Sequence, residues 1–370
     1  MVLGAPDTGK STLCRYLVYR AFISGHRVAL MDLDLGQSHL GPPAALGLAL
    51  FPPHRPGDEV ATPEALYFIG QTSPLGAILE VVVGCRVLVD QAWARGCKRV
   101  VVNTSGLVQG AGALILKRAE AELLQPSLIL GLQRSRELEP LLRGLGSAAL
   151  PKDSAMTPPP MVGGDWGEGE ITPTPTLLPQ DAGSREITGW PILHLPVSYR
   201  AIRRGPEERR LYREMRFRHY FQKARRQMLP WRRLIWDGQP WGRGDPLKPE
   251  TLEHFRQELG VKPLYGESQG RRAVLLLVEA PEVNRQKNSL ENQDWGQVHW
   301  LTWPSLHWRL IGLLDGGRRT LGLGLILPGV WDPETLAIWT PLDKPALLCV
   351  RFLKVGKLRL NLRGQELSHV

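Results

Sequence analysis

The spacing of apolar and polar positions alternates between two periods over the first two hundred residues. Short β-rich runs predict strands at 27–33, 65–70, 99–104, 127–132 and 192–197. The stretches between them have helical periodicity and predict helices at 11–24, 74–95, 111–124 and 135–145. Strands that alternate with helices are typical of βαβ units, in which helices cover both faces of a parallel sheet. An α/β fold is therefore expected here.

After residue 230 the pattern changes to strands without intervening helices. The expected strands lie at 273–279, 308–314, 321–327, 335–340, 346–353 and 357–362, and Asp315-Gly316-Gly317 forms a hairpin turn between two of them. This part predicts a small antiparallel β domain, either a closed barrel or a sandwich. We interpret its many tryptophans as core residues rather than as a platform for stacking bases.

These patterns divide the chain into an α/β domain at 1–229 and a β-rich domain at 230–370. Residues 151–190 are rich in proline and glycine, which sustain neither a helix nor a central strand, and we expect an exposed, mostly disordered insertion there. Residues 199–229 are rich in arginine and predict helices, one of them at 209–226. Only three residues precede the first glycine-rich loop, so we expect either a short first strand or a chain that begins later than the natural fold does.

Composition excludes several classes of protein. Hydrophobic residues make up 43% and charged residues 22% of the 370 positions, as in a soluble globular protein. No apolar run approaches the length of a membrane span, and Met1 is not followed by a signal peptide. The four cysteines lack C-x-x-C spacing, which indicates neither a zinc site nor a disulfide framework. We expect a cytoplasmic protein.

The net charge of +10 is concentrated in one segment. Residues 200–233 contain twelve Arg and one Lys against three Glu, so this segment accounts for the whole excess. A basic segment in an otherwise neutral chain indicates an anionic partner, with nucleic acid the leading candidate. A solvated helix face is the alternative. The preference for Arg over Lys favours contact with phosphates.

Residues 4–12 match the motif G-x-x-x-x-G-K-[ST] of a phosphate-binding loop. Its glycines let successive backbone N–H groups point at a polyphosphate, Lys10 reaches the β and γ phosphates, and the Ser11 hydroxyl ligates Mg²⁺. The helix that follows directs its positive end at the same phosphates. The residues predicted to bind the nucleotide are Gly4, Ala5, Pro6, Asp7, Thr8, Gly9, Lys10, Ser11 and Thr12. An ordinary glycine-rich turn before a helix is the alternative.

Two acids and an amide lie at the end of the strand predicted at 27–33 and just after it. Strand alternation sends Asp32 and Asp34 to the same side, and Gln37 follows them. If that side faces the loop, one carboxylate lies near the γ-phosphate, where it accepts a proton from an attacking hydroxyl or holds the metal through water. Surface carboxylates at a strand end are the alternative.

Several motifs in order resemble the polynucleotide 5′-hydroxyl kinases, the P-loop enzymes that phosphorylate RNA ends in pre-mRNA cleavage and ribosomal RNA processing. The resemblance covers most of the chain apart from 151–190. The motifs lie at 4–12, at 32–38 with Pro42-Pro43, at 67–70 with 72–74, at 103–106 with Gly110 and Gly112, at 216–221, and at 312–315 with 321–324.

The resemblance implies an enzyme that transfers the γ-phosphate of ATP to the 5′-hydroxyl of RNA or DNA, with RNA favoured, and that uses Mg²⁺ as cofactor. It implies that Asp34 is the general base and that Asp32 and Gln37 support the metal and the phosphates. The segment Thr104-Ser105-Gly106 corresponds to the clasp that positions the γ-phosphate or the substrate end. Arg204 and Arg209 correspond to an arginine lid over the transferring phosphoryl group.

Two features depart from the family pattern. The clasp usually ends in Trp, and this chain has Leu107 there. Eukaryotic members carry an N-terminal domain before the loop, so the chain resembles a compact prokaryotic member or a shortened reading of one.

Two other functions stay open. A partition-type P-loop ATPase would need an additional Lys at the position of Ala5. A scaffold that binds ATP without turnover in an RNA-processing complex is compatible with the same motifs.

Overall fold

The computed structural model describes residues 1–51, 63–145, 189–238, 241–242, 244–281, 289–292 and 295–367. The insertion expected at 151–190 lies outside the described residues except for its last two. The helices and strands of the first half are β1 Val2–Gly4, α1 Lys10–Ile23, β2 Val28–Asp32, β3 Ala45–Phe51, β4 Ala65–Phe68, α2 Ile78–Ala94, β5 Arg99–Asn103, α3 Ala111–Leu124, β6 Ile129–Gln133, α4 Glu139–Gly144 and β7 Ile192–Pro196.

These strands form one sheet in the order β7-β6-β1-β5-β2-β3-β4. The pairs from β7 to β2 are parallel, and β3 is antiparallel to both of its neighbours. Buried side chains on the two faces of β2 belong to different apolar clusters, with Met31 packing toward α2 and Leu30 toward α1. The predicted α/β sheet with helices on both faces is confirmed.

The elements of the second half are α5 Pro206–Tyr220, β8 Arg225–Leu229, β9 Ile235–Asp237, β10 Asp245–Pro246, α6 Pro249–Leu259, β11 Pro263–Gln269, β12 Arg272–Leu277, β13 Ser289–Asn292, β14 Gly296–Thr302, α7 Trp303–Leu306, β15 Arg309–Leu314, β16 Thr320–Ile326, β17 Leu336–Thr340, α8 Lys344–Leu348 and β18 Phe352–Arg359. Among the described residues, β16 pairs with β4 through Thr320 and Leu66, so the first sheet continues into this half. Strands β10 to β14 form a separate sheet in the order β10-β11-β12-β14-β13.

The two sheets of the second half share an apolar core. Val274 and Leu276 of β12 pack with Ile311 and Leu313 of β15 and with the buried Trp236. The arrangement is therefore a sandwich rather than a closed barrel, and the interpretation of the tryptophans as core residues is confirmed for this cluster. The domain boundary between residues 229 and 230 stays a prediction.

Two predicted elements are wrong. The strand expected at 346–353 begins as helix α8, because the Asp343 side chain accepts a hydrogen bond from the Ala346 N–H at 2.9 Å and caps that helix. The helix expected at 209–226 ends at Tyr220, and residues 225–229 form strand β8 against β17.

Candidate active site at the phosphate-binding loop

The loop at 4–12 joins the end of β1 to the start of α1. An added Cβ at Gly4 would lie 2.5 Å from Thr8 Oγ1 and 2.9 Å from the carbonyl oxygen of Leu132. Gly9 has φ of 89°, a backbone conformation that favours glycine. Both glycines of the motif are therefore required by the tight turn, and the turn directs the N-terminus of α1 at the space above it.

The side chain of Lys10 folds back over the loop. Lys10 is buried, and its Nζ donates to the carbonyl oxygen of Ala5 at 2.8 Å. Burial lowers the pKa of Lys10, and the nearby negative charge of Asp34 acts against that shift. The lysine of the loop and the second acid of the pair thus act on each other electrostatically.

Asp32 is fully buried and saturated with hydrogen bonds. Its Oδ1 accepts from Asn103 Nδ2 at 2.9 Å and from the Asp34 N–H at 3.2 Å. Its Oδ2 accepts from the backbone N–H groups of His39 at 2.6 Å and Leu40 at 3.2 Å. Burial, and then the charge of Asp34, raises the pKa of Asp32 to about 6. With both oxygens engaged, this carboxylate would hold a metal through water rather than directly.

Asp34 and Gln37 form the rim of the site. Asp34 Oδ1 accepts from the N–H groups of Gly36 at 3.1 Å and Gln37 at 3.0 Å, which leaves Oδ2 without a hydrogen bond to the described residues. Gln37 Nε2 donates to the carbonyl oxygen of Arg209 at 3.2 Å, and Gln37 Oε1 accepts from Arg204 Nη1 at 3.5 Å. Gln37 therefore connects the acidic loop to the arginine-rich helix.

The side-chain oxygen atoms of Ser11, Asp32 and Asn103 beside the loop fit a site for Mg²⁺. Asn103 Nδ2 bridges Asp32 and the hydroxyl oxygen of Ser11, which lies 3.2 Å away. Within the described residues, the buried Asn103 Oδ1 has no hydrogen-bond partner, and no group of three or more His, Cys, Asp or Glu could hold a metal ion. Mg²⁺ is usually held by one or two side chains together with substrate phosphates and water. The residues present fit an ion of that kind.

The two predicted lid arginines both contact Asp7 of the loop. The backbone N–H of Arg204 donates to Asp7 Oδ2 at 3.1 Å, and Arg209 Nη1 lies 3.7 Å from the same oxygen. The Arg204 guanidinium also lies over the ring of Tyr212, 5.4 Å from its centroid. The start of α5 is thereby held at the mouth of the loop.

The first part of the loop, the segments after β5 and β6 and the start of α5 surround a cavity of about 540 Å³, which Lys10, Ser11 and Asp34 do not line. The first part of the loop and the segment after β5 form one wall, and four arginines together with Ser135 and Glu137 form the rest of the lining. The lining residues are Ala5, Pro6, Asp7, Gly106, Leu107, Val108, Gln109, Arg134, Ser135, Glu137, Arg203, Arg204 and Arg209. The ends of β1, β5 and β6 thus meet at one pocket, as ligand sites in parallel sheets do.

The side chains of the predicted clasp face away from this cavity. Thr104 Oγ1 donates to the carbonyl oxygen of Val2 at 2.8 Å, and Ser105 Oγ accepts from Lys117 Nζ at 3.0 Å. Both residues are buried, and neither lines the cavity. Gly106 and the following Leu107 do line the pocket, so a clasp would act through these two residues.

Sequence reasoning missed two further arginines at the pocket, Arg134 and Arg203. Arg134 Nη2 donates to the carbonyl oxygens of Asp7 and Ala201, each at 2.8 Å. It thereby joins the end of β6 to the loop and to the segment before α5. The signal was present, because Arg134 lies two residues after the strand predicted at 127–132, at the edge of the sheet where ligands bind.

Many arginines of the basic segment have protein partners. Arg213 makes two hydrogen bonds with the Glu366 carboxylate, and Arg216 Nη2 donates to the carbonyl oxygens of His39 at 3.2 Å and Gly41 at 2.7 Å. Arg210 pairs with Glu214. Part of the charge excess therefore fastens α5 to its surroundings.

None of the described helices has the length and apolarity that a membrane crossing requires.

Comparison with known proteins identifies relatives of the whole chain. The polyribonucleotide 5′-hydroxyl-kinase of Methanocaldococcus jannaschii is 24% identical over 368 residues, which cover all of this chain and 88% of that protein. The one of Thermococcus kodakarensis is 27% identical, covering all of this chain and 90% of that protein. The Clp1 kinase of Xenopus laevis is 33% identical, but the match covers only 39% of this chain and 35% of that protein.

The fold is similar to that of solved Clp1 proteins. The structure of the wild-type Clp1p–Pcf11p complex matches with a TM-score of 0.55 and 12% identity, covering 97% of this chain and 73% of that one, which supports the fold alone. Residues 4–151 match the family described as "mRNA cleavage and polyadenylation factor CLP1 P-loop". The resemblance found in the motifs is confirmed: residues 4–151 match the Clp1 P-loop family, and archaeal proteins named polyribonucleotide 5′-hydroxyl-kinases align over the whole chain.

Proposed function

We propose that this protein is an ATP-dependent polynucleotide 5′-hydroxyl kinase that transfers the γ-phosphate of ATP to the 5′-hydroxyl of RNA. One observation carries the proposal. The phosphate-binding loop and four arginines line one cavity, and Gln37 joins the turn that holds Asp34 to two of those arginines. The names of the archaeal relatives that align over the whole chain support the same activity.

The donor nucleotide would bind along the loop. The N–H groups of residues 4–12 and the N-terminus of α1 bind its phosphates, and Lys10 exchanges its hydrogen bond to Ala5 for one to the β and γ phosphates. Ser11 and Asn103 offer oxygen ligands to Mg²⁺, with Asp32 behind them. When bound, Mg²⁺ neutralises charge on the phosphate oxygens.

The acceptor would be activated by Asp34. Its Oδ2 is available to accept the proton of the 5′-hydroxyl while the hydroxyl oxygen attacks the γ-phosphorus. The bond between the γ-phosphorus and the β–γ bridging oxygen breaks, and ADP leaves with that oxygen. Asp34 is held for this step because its other oxygen is fixed by two backbone N–H groups.

The arginines would stabilise the transition state. Negative charge spreads over the equatorial oxygens during transfer, and guanidinium groups placed beforehand at that position lower the barrier. Arg204 and Arg209 lie at the mouth of the loop through their contacts with Asp7. Their positions suit this role.

An RNA acceptor and a cytoplasmic location are the finer parts of the proposal. Guanidinium groups around the cavity suit the backbone phosphates of a polynucleotide, which dominate its affinity. The four cysteines are free, three of them buried, which suits a reducing compartment.

Transfer of labelled phosphate tests the proposal. The protein is incubated with ATP labelled at the γ position, Mg²⁺ and a short oligonucleotide with a 5′-hydroxyl, as RNA and as DNA in parallel. We expect label at the 5′ end of the RNA and none on the same RNA carrying a 5′-phosphate. Hydrolysis of ATP that is equal with and without acceptor would favour an ATPase. Binding of ATP without turnover would favour a scaffold.

A further inference from the structure

Helix α3 contains an ion pair that stability alone does not explain. Lys117 Nζ lies 3.0 Å from Glu120 Oε2, and both side chains are 0% exposed. Glu120 Oε1 is also buried and has no hydrogen-bond partner among the described residues. Removing two charges from water is costly, and well-packed apolar side chains of similar volume often stabilise a protein as much or more. A buried pair at this position therefore calls for another role.

The ammonium group of this pair reaches the segment after β5. Lys117 Nζ donates to Ser105 Oγ at 3.0 Å, so the side chain links α3 to the residue before Gly106. An added Cβ at Gly106 would lie 2.8 Å from Pro6 Cγ and 2.9 Å from the Pro6 nitrogen. Gly106 thus packs directly on the phosphate-binding loop. Whatever fixes Ser105 also fixes this contact.

The same ammonium acts on the loop lysine electrostatically. Burial lowers the pKa of Lys10, and the positive charge of Lys117 lowers it further. Burial raises the pKa of Glu120, and Lys117 acts against that shift. Burial is the main cause of the lowered pKa of Lys10, so the contribution of Lys117 to that shift is minor.

We propose that Lys117 is a positioning residue for phosphoryl transfer: through Ser105 it holds Gly106 and Leu107 at a fixed place against Pro6, where they form a wall of the cavity. The inference rests on the proposed kinase function and deepens it. It states that a buried ion pair on α3 holds one wall of the cavity in place. Glu120 orients the ammonium group through its contact at 3.0 Å. The network touches neither substrate, so its effect is on geometry.

A pair of double variants on the same helix tests the proposal. Lys117→Met/Glu120→Met removes both buried charges together and leaves no unpaired ion. Arg118→Met/Glu122→Met removes an ion pair that is 64% and 51% exposed and serves as the matched control. Misplacement by about 1 Å costs on the order of a hundredfold in rate. We expect kcat of the first variant to fall about tenfold to a hundredfold with the KM for ATP nearly unchanged, and the control to keep wild-type kinetics.

Ser105→Ala keeps the test decisive if the double variant does not fold, because it removes only the bond to Lys117. We expect a smaller loss of kcat and faster amide hydrogen exchange across residues 104–109. Wild-type kcat in the folded variants, or an equal fall in the control, overturns the proposal. If the unmodified protein transfers no phosphate to any oligonucleotide, the proposed function fails. Exchange then decides alone: unchanged protection of 104–109 overturns the positioning role, and faster exchange supports it.

Discussion

Replacing Asp34 by Asn separates its two roles in the structure. Asp34 Oδ1 accepts hydrogen bonds from the N–H groups of Gly36 and Gln37 at 3.1 and 3.0 Å. An asparagine oxygen can accept both of these bonds, so the turn at 34–37 should keep its shape. What Asp34→Asn removes is the negative charge and the ability of Oδ2 to take a proton. A loss of activity then reports on chemistry rather than on folding.

The expected magnitude follows from that role. General base catalysis contributes roughly 10²- to 10⁴-fold, so kcat should fall by about that factor, or about 3 to 5 kcal/mol in activation free energy. ATP binding should not weaken, because the variant removes a negative charge that acts on Lys10, the residue that faces the phosphates. The KM for ATP is therefore expected to stay the same or to fall.

The assay measures initial rates of labelled phosphate transfer to a 5′-hydroxyl RNA at varied ATP. Asp90→Asn serves as control, since Asp90 pairs with Arg86 on the exposed face of α2. Retention of kcat within about threefold of the unmodified protein would remove Asp34 from the base role, because so small a factor is well below what a general base contributes.

Three further predictions concern the contact of Gly106 with the loop, the attachment of α5 and the binding of RNA. Gly106→Ala should lower kcat/KM at least tenfold and destabilise the fold by about 1–3 kcal/mol, because the new methyl group meets Pro6; wild-type kinetics would show that the contact is not tight. Glu366→Ala should lower the free energy of unfolding by about 1–3 kcal/mol in urea titrations, since it removes two bonds to Arg213. The control Glu334→Ala, whose carboxylate is 70% exposed, should leave the midpoint unchanged, and equal effects of the two would refute the reasoning. RNA affinity should fall by tenfold or more between 50 and 200 mM salt, measured by fluorescence anisotropy, and a flat response would exclude the arginines as the docking surface.

The sequence predicted the elements that carry local signals. The loop at 4–12 is a contiguous motif that the sequence shows directly. Strands β2 and β5 are apolar runs bounded by polar residues, and α3 has helical periodicity. The observed limits of all three elements therefore lie within two residues of the predicted ones. Strand β3 was missed because Ala45–Phe51 is apolar throughout and shows no periodicity. Helix α8 was missed because a capping Asp and a Pro outweigh the β-rich residues that follow.

The contacts that complete the site depend on tertiary structure. The bond of Lys117 to Ser105 joins residues of two elements, and no local spacing indicates that a lysine on α3 is buried. Glu366 binds Arg213 of helix α5, although the two residues are more than 150 positions apart in the sequence. Such contacts follow from how the elements pack, and their residues look like ordinary surface charges in the sequence.

The most direct test of the central claim is a structure of the protein with Mg²⁺, a non-hydrolysable ATP analogue and a short RNA with a 5′-hydroxyl. The account predicts that the γ-phosphate lies against Lys10, that the 5′-oxygen lies within hydrogen-bond distance of Asp34 Oδ2, and that the first nucleotide occupies the cavity beside Leu107. A 5′-end bound elsewhere, with Asp34 turned away from the triphosphate, would contradict it.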